Sequence, residues 1–145
     1  TNLAYYFGYL LKKIKENVYL DTSLSWEIKD LIIRNGNSRI MFVIAFPRYA
    51  RKTIELMELA RKYKVKIIGI SDTPKSPIIA LSDQYIIVDL ESVSFIDPFA
   101  HIITYLAALI HEITFMDNRK AVRHLSKFDD GMKITAEFYS DNGSG

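Results

Sequence analysis

The residues most suited to chemistry follow a run of apolar residues in the first half of the chain. Residues 40–46 are apolar at every position, and the next few positions carry Arg48, Arg51, Lys52 and Thr53. In a parallel sheet, such a segment joins the carboxyl end of a strand to a helix, where free N–H groups and the helix dipole favour anions. The segment 46–53 therefore predicts a binding site for a phosphate or another anion.

Each of these residues also has a purely structural interpretation. Arg48, Arg51 and Lys52 can be solvated residues of a surface loop, and Thr53 can cap the helix that follows. Tyr49 can simply cover the end of the sheet. A ligand role for at least one of the three cations and the structural interpretation therefore both stay open.

Two further loops belong to the same predicted edge of the sheet. Residues 71–76 follow a second apolar strand, and Ser76 with Pro77 has the composition of a helix cap followed by a first helical residue. The third loop, residues 91–97, contains Glu91, the best candidate for a general base, although a single loop glutamate without a partner is more often an ordinary solvated carboxylate. Ser76 and Glu91 are thus secondary candidates for binding a ligand.

Other chemistries are not indicated by the residues present. There is no cysteine, and two of the three histidines, His101 and His111, stand ten positions apart instead of four, so no metal site or cofactor is predicted. The 19 basic and 17 acidic residues give a net charge of +2, too balanced to indicate a nucleic-acid surface. The start of the sequence does not resemble a secretory signal, and the apolar stretch 99–115 falls short of the ~20 residues of a bilayer span. We therefore expect a cytoplasmic location.

Hydrophobic periodicity predicts alternating helices and strands. Helices are expected to about Lys15, through 26–36, after Thr53, at 76–81, over 99–116 and in 118–139, the last weakened at Gly131; strands are expected at 17–21, 40–46, 65–71 and 84–89. The apolar strand 40–46 is expected to be central, and the long helix 99–116 to be covered on most sides. This order predicts an α/β fold with a doubly wound, mostly parallel sheet of four to five strands and helices on both faces. Residues 1–139 would form one domain, and residues 140–145 a flexible tail.

Several segments taken together carry a family resemblance. They are residues 3–11 with Asn17-Val18, Phe46-Pro47-Arg48-Tyr49 with Thr53, Ile70-Ser71-Asp72 followed by Ser76-Pro77-Ile78 and Ser82-Asp83, and Ser94-Phe95-Ile96-Asp97. This set resembles the sugar isomerase (SIS) domain in the form that stands behind the helix-turn-helix domain of RpiR-type transcription regulators. The resemblance covers about residues 3–113, and the family's first strand, expected before Leu3, is absent from the sequence.

The resemblance implies a non-catalytic domain that binds a sugar phosphate, forms a homodimer and passes the ligand state to a DNA-binding domain outside this chain. Its implied ligand residues are Arg48, Tyr49, Arg51, Lys52, Thr53, Ser76 and Glu91. Ala45 and Ala50 stand where the family usually has serine, which removes hydrogen bonds worth roughly 1.5 to 3 kcal/mol each to a charged group. Two alternatives stay open: an aldose-ketose phosphate isomerase with Glu91 as base, and a degenerate domain that only dimerises.

Overall fold

Five helices and three strands have defined bounds within the residues that this computed structural model describes, which are 2–90, 98–116, 123 and 125–133. The helices are α1 (Asn2–Ile14), α2 (Trp26–Asn35), α3 (Arg51–Lys62), α4 (Pro77–Ala80) and α5 (Pro98–Met116). The strands are β1 (Ile40–Ile44), β2 (Lys66–Ser71) and β3 (Gln84–Ile87). A 3-10 turn, Gly36–Ser38, joins α2 to β1, and residues 125–133 are also helical.

The chain divides into two compact units. One comprises Thr1–Tyr5 and Tyr19–Tyr105, and it contains the whole sheet; the other comprises Tyr6–Val18 and Leu106–Gly145. The extent of a single domain over residues 1–139 stays a prediction.

The sheet is parallel, in the order β1-β2-β3. Its register pairs Ile40 with Lys66 at one end of β1 and Ile44 with Ile70 at the other. The α/β class and the parallel sheet are confirmed, but the described residues contain three strands where four to five were predicted for the chain. Among the described strands β2 is central and β1 lies at an edge, where Ile40 is 64% exposed, so the prediction that β1 is central is wrong for this part of the chain. An all-apolar strand indicates that both faces are covered and says nothing about its edges.

The strand predicted at residues 17–21 does not form. Asn17 adopts a left-handed conformation with φ of 58°, and no described strand lies on the free edge of β1 to complete a ladder. The Asp21 carboxylate instead accepts the backbone N–H groups of Ser23, Leu24 and Ser25 at 2.6–2.8 Å. Residues 21–25 therefore form a tight turn that leads directly into α2.

The core of the unit that contains the sheet lies between α2, α3 and the strands. α3 contributes Leu56, Met57 and Ala60, which recur at helical spacing and are all buried. They pack in one cluster with apolar residues of α2, the strands, the segment just before β2 and α4: Ile32, Val43, Val65, Ile67 and Ile78. The predicted amphipathic helices are thereby confirmed, and this core holds the helix ends at fixed positions along the two edges of the sheet.

The long helix α5 is more exposed than its composition predicted. Only 11% of the window Phe99–Met116 is buried, and large apolar side chains such as Phe99, Ile103 and Phe115 are exposed. The prediction that α5 is covered on most sides is therefore wrong for the part of the chain that the structure describes. There, Ile102 and Leu106 form a narrow buried stripe on the helix. By length and composition alone the helix could cross a membrane, with mean hydropathy 1.4, but the core helix of a soluble protein meets the same criterion.

Candidate functional site at the carboxyl edge of the sheet

The loops that follow β1 and β2 leave the sheet at the same edge. The two strands are parallel and in register, and the Ala45 N–H donates to the Ile70 carbonyl at 3.1 Å just beyond β1. The segment 46–50 and the segment 72–76 consequently start side by side. This is the edge at which open α/β sheets bind their ligands.

The helix that follows the first loop has an N-terminus without a side-chain cap. α3 begins at Arg51 after Ala50, whose methyl group cannot accept a hydrogen bond from the helix. Thr53 lies in the first turn, where its own N–H donates to the Ala50 carbonyl at 2.9 Å, so the prediction that Thr53 caps the helix is wrong. The N–H groups of Arg51 and Lys52 have no acceptor within the helix and point out of its positive end.

The cations of this loop differ in their surroundings. Arg48 is exposed and has φ of 71°, a left-handed conformation that is uncommon for a residue with a side chain. Arg51 donates from Nε to Glu55 Oε1 at 3.0 Å, in an exposed pair one turn apart on α3. Lys52 is exposed at the start of the same helix. Arg48 and Lys52 are therefore available to an anion, whereas Arg51 shares its charge with Glu55.

A hydrogen bond ties the first loop to the second. The Tyr49 hydroxyl donates to Asp72 Oδ1 at 2.8 Å, and the Ser71 hydroxyl approaches the same oxygen at 3.2 Å. The sequence did not indicate the bond between Asp72 and Tyr49. The register of β1 and β2 would have indicated it, because each residue stands just past the end of a neighbouring strand.

The serine in the second loop is occupied by a structural role. Ser76 caps α4, its Oγ accepting from the Ile78 N–H at 3.1 Å, and it is 1% exposed. The predicted cap followed by Pro77 is confirmed. Ser76 lies in the loop next to the one that bears Tyr49. Glu91, the candidate base, lies outside the described residues.

The arrangement suits binding of an anion. It offers free N–H groups at the start of α3, the flexible charges of Arg48 and Lys52, and the hydroxyl of Thr53, which is half-buried in the first turn. Among the residues that the structure describes, no group of three or more His, Asp or Glu side chains could hold a metal ion.

Fold and site together define a class: a parallel α/β domain that exposes a helix N-terminus at the carboxyl edge of its sheet. Within this class, the chain belongs to the SIS domain family, whose model matches residues 1–112. The resemblance inferred from the sequence is thereby confirmed. No significant match is found among curated proteins.

Solved structures agree with this assignment of the fold. The chain is similar to the sugar isomerase domain of an RpiR transcription factor from Sphaerobacter thermophilus, with a TM-score of 0.77, 18% identity, and coverage of 89% of this chain and 72% of that one. It is also similar to the Vibrio vulnificus NanR protein complexed with ManNAc-6P, with a TM-score of 0.72, 13% identity, and coverage of 89% of this chain. Both solved structures share the fold of this chain. The match spans half of the NanR chain, so NanR has further residues beyond the shared fold.

Proposed function

We propose that this chain is the phosphosugar-sensing and dimerising domain of an RpiR-like transcription regulator of the cytoplasm, without catalytic activity. The observation that carries the proposal is the uncapped N-terminus of α3 at the carboxyl edge of the sheet, beside Arg48. A phosphate group supplies the acceptors that Ala50 does not, and it neutralises the positive end of the helix. Support comes from the NanR neighbour, whose structure contains a sugar phosphate.

The proposed ligand residues would contact different parts of the phosphosugar or hold the loop in place. The phosphate would meet the N–H groups at the start of α3, the side chains of Arg48 and Lys52, and the Thr53 hydroxyl. Tyr49 would act as a positioning residue, because its hydroxyl is engaged by Asp72 and holds the loop in place. Arg51 would add charge at the rim. Glu91 would face the sugar, on the pattern that the family resemblance implies, and Ser76, which is 1% exposed, would contribute by holding the start of α4 beside the site.

A thermal-shift panel of hexose and N-acetylhexosamine phosphates tests ligand sensing on the full chain. The sharpest variant is Ala50→Asp, because it supplies the missing cap and also places a negative charge where the phosphate would bind. We expect this variant to melt higher than the wild type, since a cap is worth about 1 kcal/mol, and to lose its response to every phosphosugar. Thr22→Asp makes the same charge change on an exposed residue of the turn before α2 and should keep the response. Silence of the wild type toward the whole panel would contradict ligand sensing.

The dimer would form through α5, whose exposed apolar side chains include Phe99, Ile103 and Phe115. Burial of such side chains between two copies contributes about 25 cal/mol per Å² of apolar area. A dimer interface would therefore account for the apolar composition of α5. Ligand bound at α3 would favour one dimer arrangement over another and so affect a distant DNA-binding domain. Sedimentation equilibrium should show a dimer that Ile103→Glu dissociates and Thr22→Glu leaves intact. A monomeric wild type would contradict this part of the proposal.

A further inference from the structure

A second positively charged surface lies at the opposite edge of the sheet. An open groove of about 320 Å³ runs between the ends of α2 and α3, lined by Ile33, Arg34, Gly36, Asn37, Lys62, Tyr63 and Lys64. The 3-10 turn of this groove precedes β1, and residues 63–64 precede β2, so the groove lies at the amino edge of the strands. The candidate phosphosugar site lies at the carboxyl edge, and the two surfaces share no residue.

The walls of the groove are held in place by a close contact of backbones. A Cβ atom on Gly36 would lie 2.6 Å from the Tyr63 carbonyl oxygen and 3.0 Å from Val65 Cγ2. Only glycine therefore allows the turn after α2 to approach the segment after α3 so closely. The positions of the neighbouring cations follow from this contact.

The groove concentrates positive charge. Its lining includes Arg34, Lys62 and Lys64 and no acidic residue. Three cations exceed the net charge of the whole chain, which is +2, so the remaining residues together carry a net charge of −1. Arg34 pairs with Asp30 through Nε at 2.9 Å on an exposed surface, which leaves its other N–H groups for a ligand.

Helix termination accounts for only part of this charge. Arg61 and Lys62 lie in the last turn of α3, where cations offset the negative end of the helix dipole. Lys64 lies beyond the helix, with φ of 59°, at the kind of position that glycine usually occupies after a helix. A lysine in that conformation adds strain and a third cation, and the end of the helix requires neither.

We propose that this groove binds the phosphodiester backbone of duplex DNA without reading its sequence. Lysine, arginine and asparagine side chains are the groups that contact phosphate oxygens in such interfaces. A protein partner would instead be anchored by aromatic or apolar side chains in a buried pocket, whereas this groove is open and its lining sets three cations beside Ile33 and Tyr63. The inference rests on the proposed function, because a domain tethered beside a DNA-binding domain meets DNA at high effective concentration.

Fluorescence anisotropy with the full chain and a duplex of about 20 base pairs of arbitrary sequence tests the proposal. Three phosphate contacts predict that affinity falls roughly 40-fold between about 50 and about 200 mM salt. With Lys62→Gln/Lys64→Gln, one contact remains and the fall should shrink to roughly fourfold. The control Lys127→Gln/Lys133→Gln removes the same charge from exposed residues of the helical segment 125–133 and should keep the steep dependence.

A second variant separates binding from folding. Lys64→Gly relieves the left-handed lysine, so we expect it to melt higher than the wild type and nevertheless to bind DNA more weakly. No binding at the lower salt concentration, or an equal loss in the control pair, would overturn the proposal, and competition by poly-glutamate as strong as by DNA would assign the groove to acidic proteins instead. The thermal response to phosphosugars should be unchanged in Lys62→Gln/Lys64→Gln, so the failure of one proposal is distinguishable from the failure of the other.

Discussion

The hydrogen bond from Tyr49 to Asp72 should stabilise both the fold and the anion-binding loop, and Tyr49→Phe removes it without changing the ring. The donor and acceptor are 2.8 Å apart and half-buried, and the acceptor is a carboxylate. Buried hydrogen bonds to charged groups contribute about 1.5 to 3 kcal/mol, and partial exposure lowers this to about 1 kcal/mol. We expect the unfolding free energy to fall by about that amount and the melting temperature by about 3 °C.

A double-mutant cycle with Asp72→Ala measures the interaction itself. Unfolding in urea should be followed by circular dichroism, because the single tryptophan, Trp26, is 71% exposed and responds weakly to folding. The coupling energy between the two changes should be about 1 kcal/mol. Tyr85→Phe is a matched control, because Tyr85 is 56% exposed on β3, and it should cost less than about 0.5 kcal/mol.

Additive single changes, with a coupling energy below about 0.3 kcal/mol, would refute the reasoning. Hydrogen bonds from water to both side chains in the unfolded chain would then be as favourable as the bond between them, and Tyr49 would contribute to stability only through its ring. If the coupling is found, the same variant should also reduce the thermal shift produced by a phosphosugar. The loop that carries Arg48 would no longer be tied to the neighbouring strand, and ordering it would cost part of the binding free energy.

Two further predictions concern residues outside the site. Burial raises the pKa of Asp21, but the larger combined effect of the hydrogen bonds from Ser25 and Ser23 lowers it below its ordinary value. Because the pKa of Asp21 is lower in the folded state than the unfolded value of about 3.9, the ionised carboxylate stabilises the fold above that value, and this stabilisation is lost as pH falls. Asp21→Asn should therefore lower the free energy of unfolding in urea by about 1 kcal/mol at pH 7 and by progressively less below about pH 4. A cost that does not change with pH would contradict this. Gly69→Ala would place a Cβ atom against Ser82 Oγ, which donates to the Ile78 carbonyl at 2.7 Å, so unfolding free energy should fall by about 1 to 3 kcal/mol and recover in Gly69→Ala/Ser82→Gly. Failure of that second change to restore stability would contradict the steric reason.

Helices and buried strands were predictable because their patterns are local. The stripe Leu56, Met57 and Ala60 determines the face of α3 within the sequence, and Ser76-Pro77 specifies the start of α4 in two residues. Whether a segment pairs as a strand depends on a neighbour that the pattern does not contain. Residues 17–21 have the composition of a strand, yet no described strand lies beside them, and the Asp21 carboxylate accepts the N–H groups of Ser23, Leu24 and Ser25 in a turn.

The location of the candidate site was predictable, whereas its internal contacts were not. A buried strand followed by cations and a helix places an anion site by the general rule for parallel sheets. The bond between Tyr49 and Asp72 depends on the register of β1 and β2, which no property of either segment determines alone. The start of α3 at Arg51 likewise depends on the extended conformation of Ala50, with ψ of 130°.

Total charge is also a poor guide to local charge. A net charge of +2 gave no indication of a nucleic-acid surface, because the sequence separates Arg34 from Lys62 and Lys64 by almost thirty residues. Folding brings the ends of α2 and α3 together through the close approach at Gly36, and the cations then share one groove. Surface charge therefore has to be summed over each patch of the folded chain.

The two proposed sites make different demands on the same helix. α3 has 12 residues, so its ends lie roughly 18 Å apart, one at each edge of the sheet. At its N-terminus the dipole and free N–H groups already attract an anion, so the loss of Arg48 should weaken binding without abolishing it. At its C-terminus the dipole repels an anion, and the side chains must supply all of the attraction. Neutralising Lys62 and Lys64 should therefore remove about two-thirds of the dependence of log affinity on log salt and leave only the contact of Arg34, and this asymmetry follows from the direction of one helix.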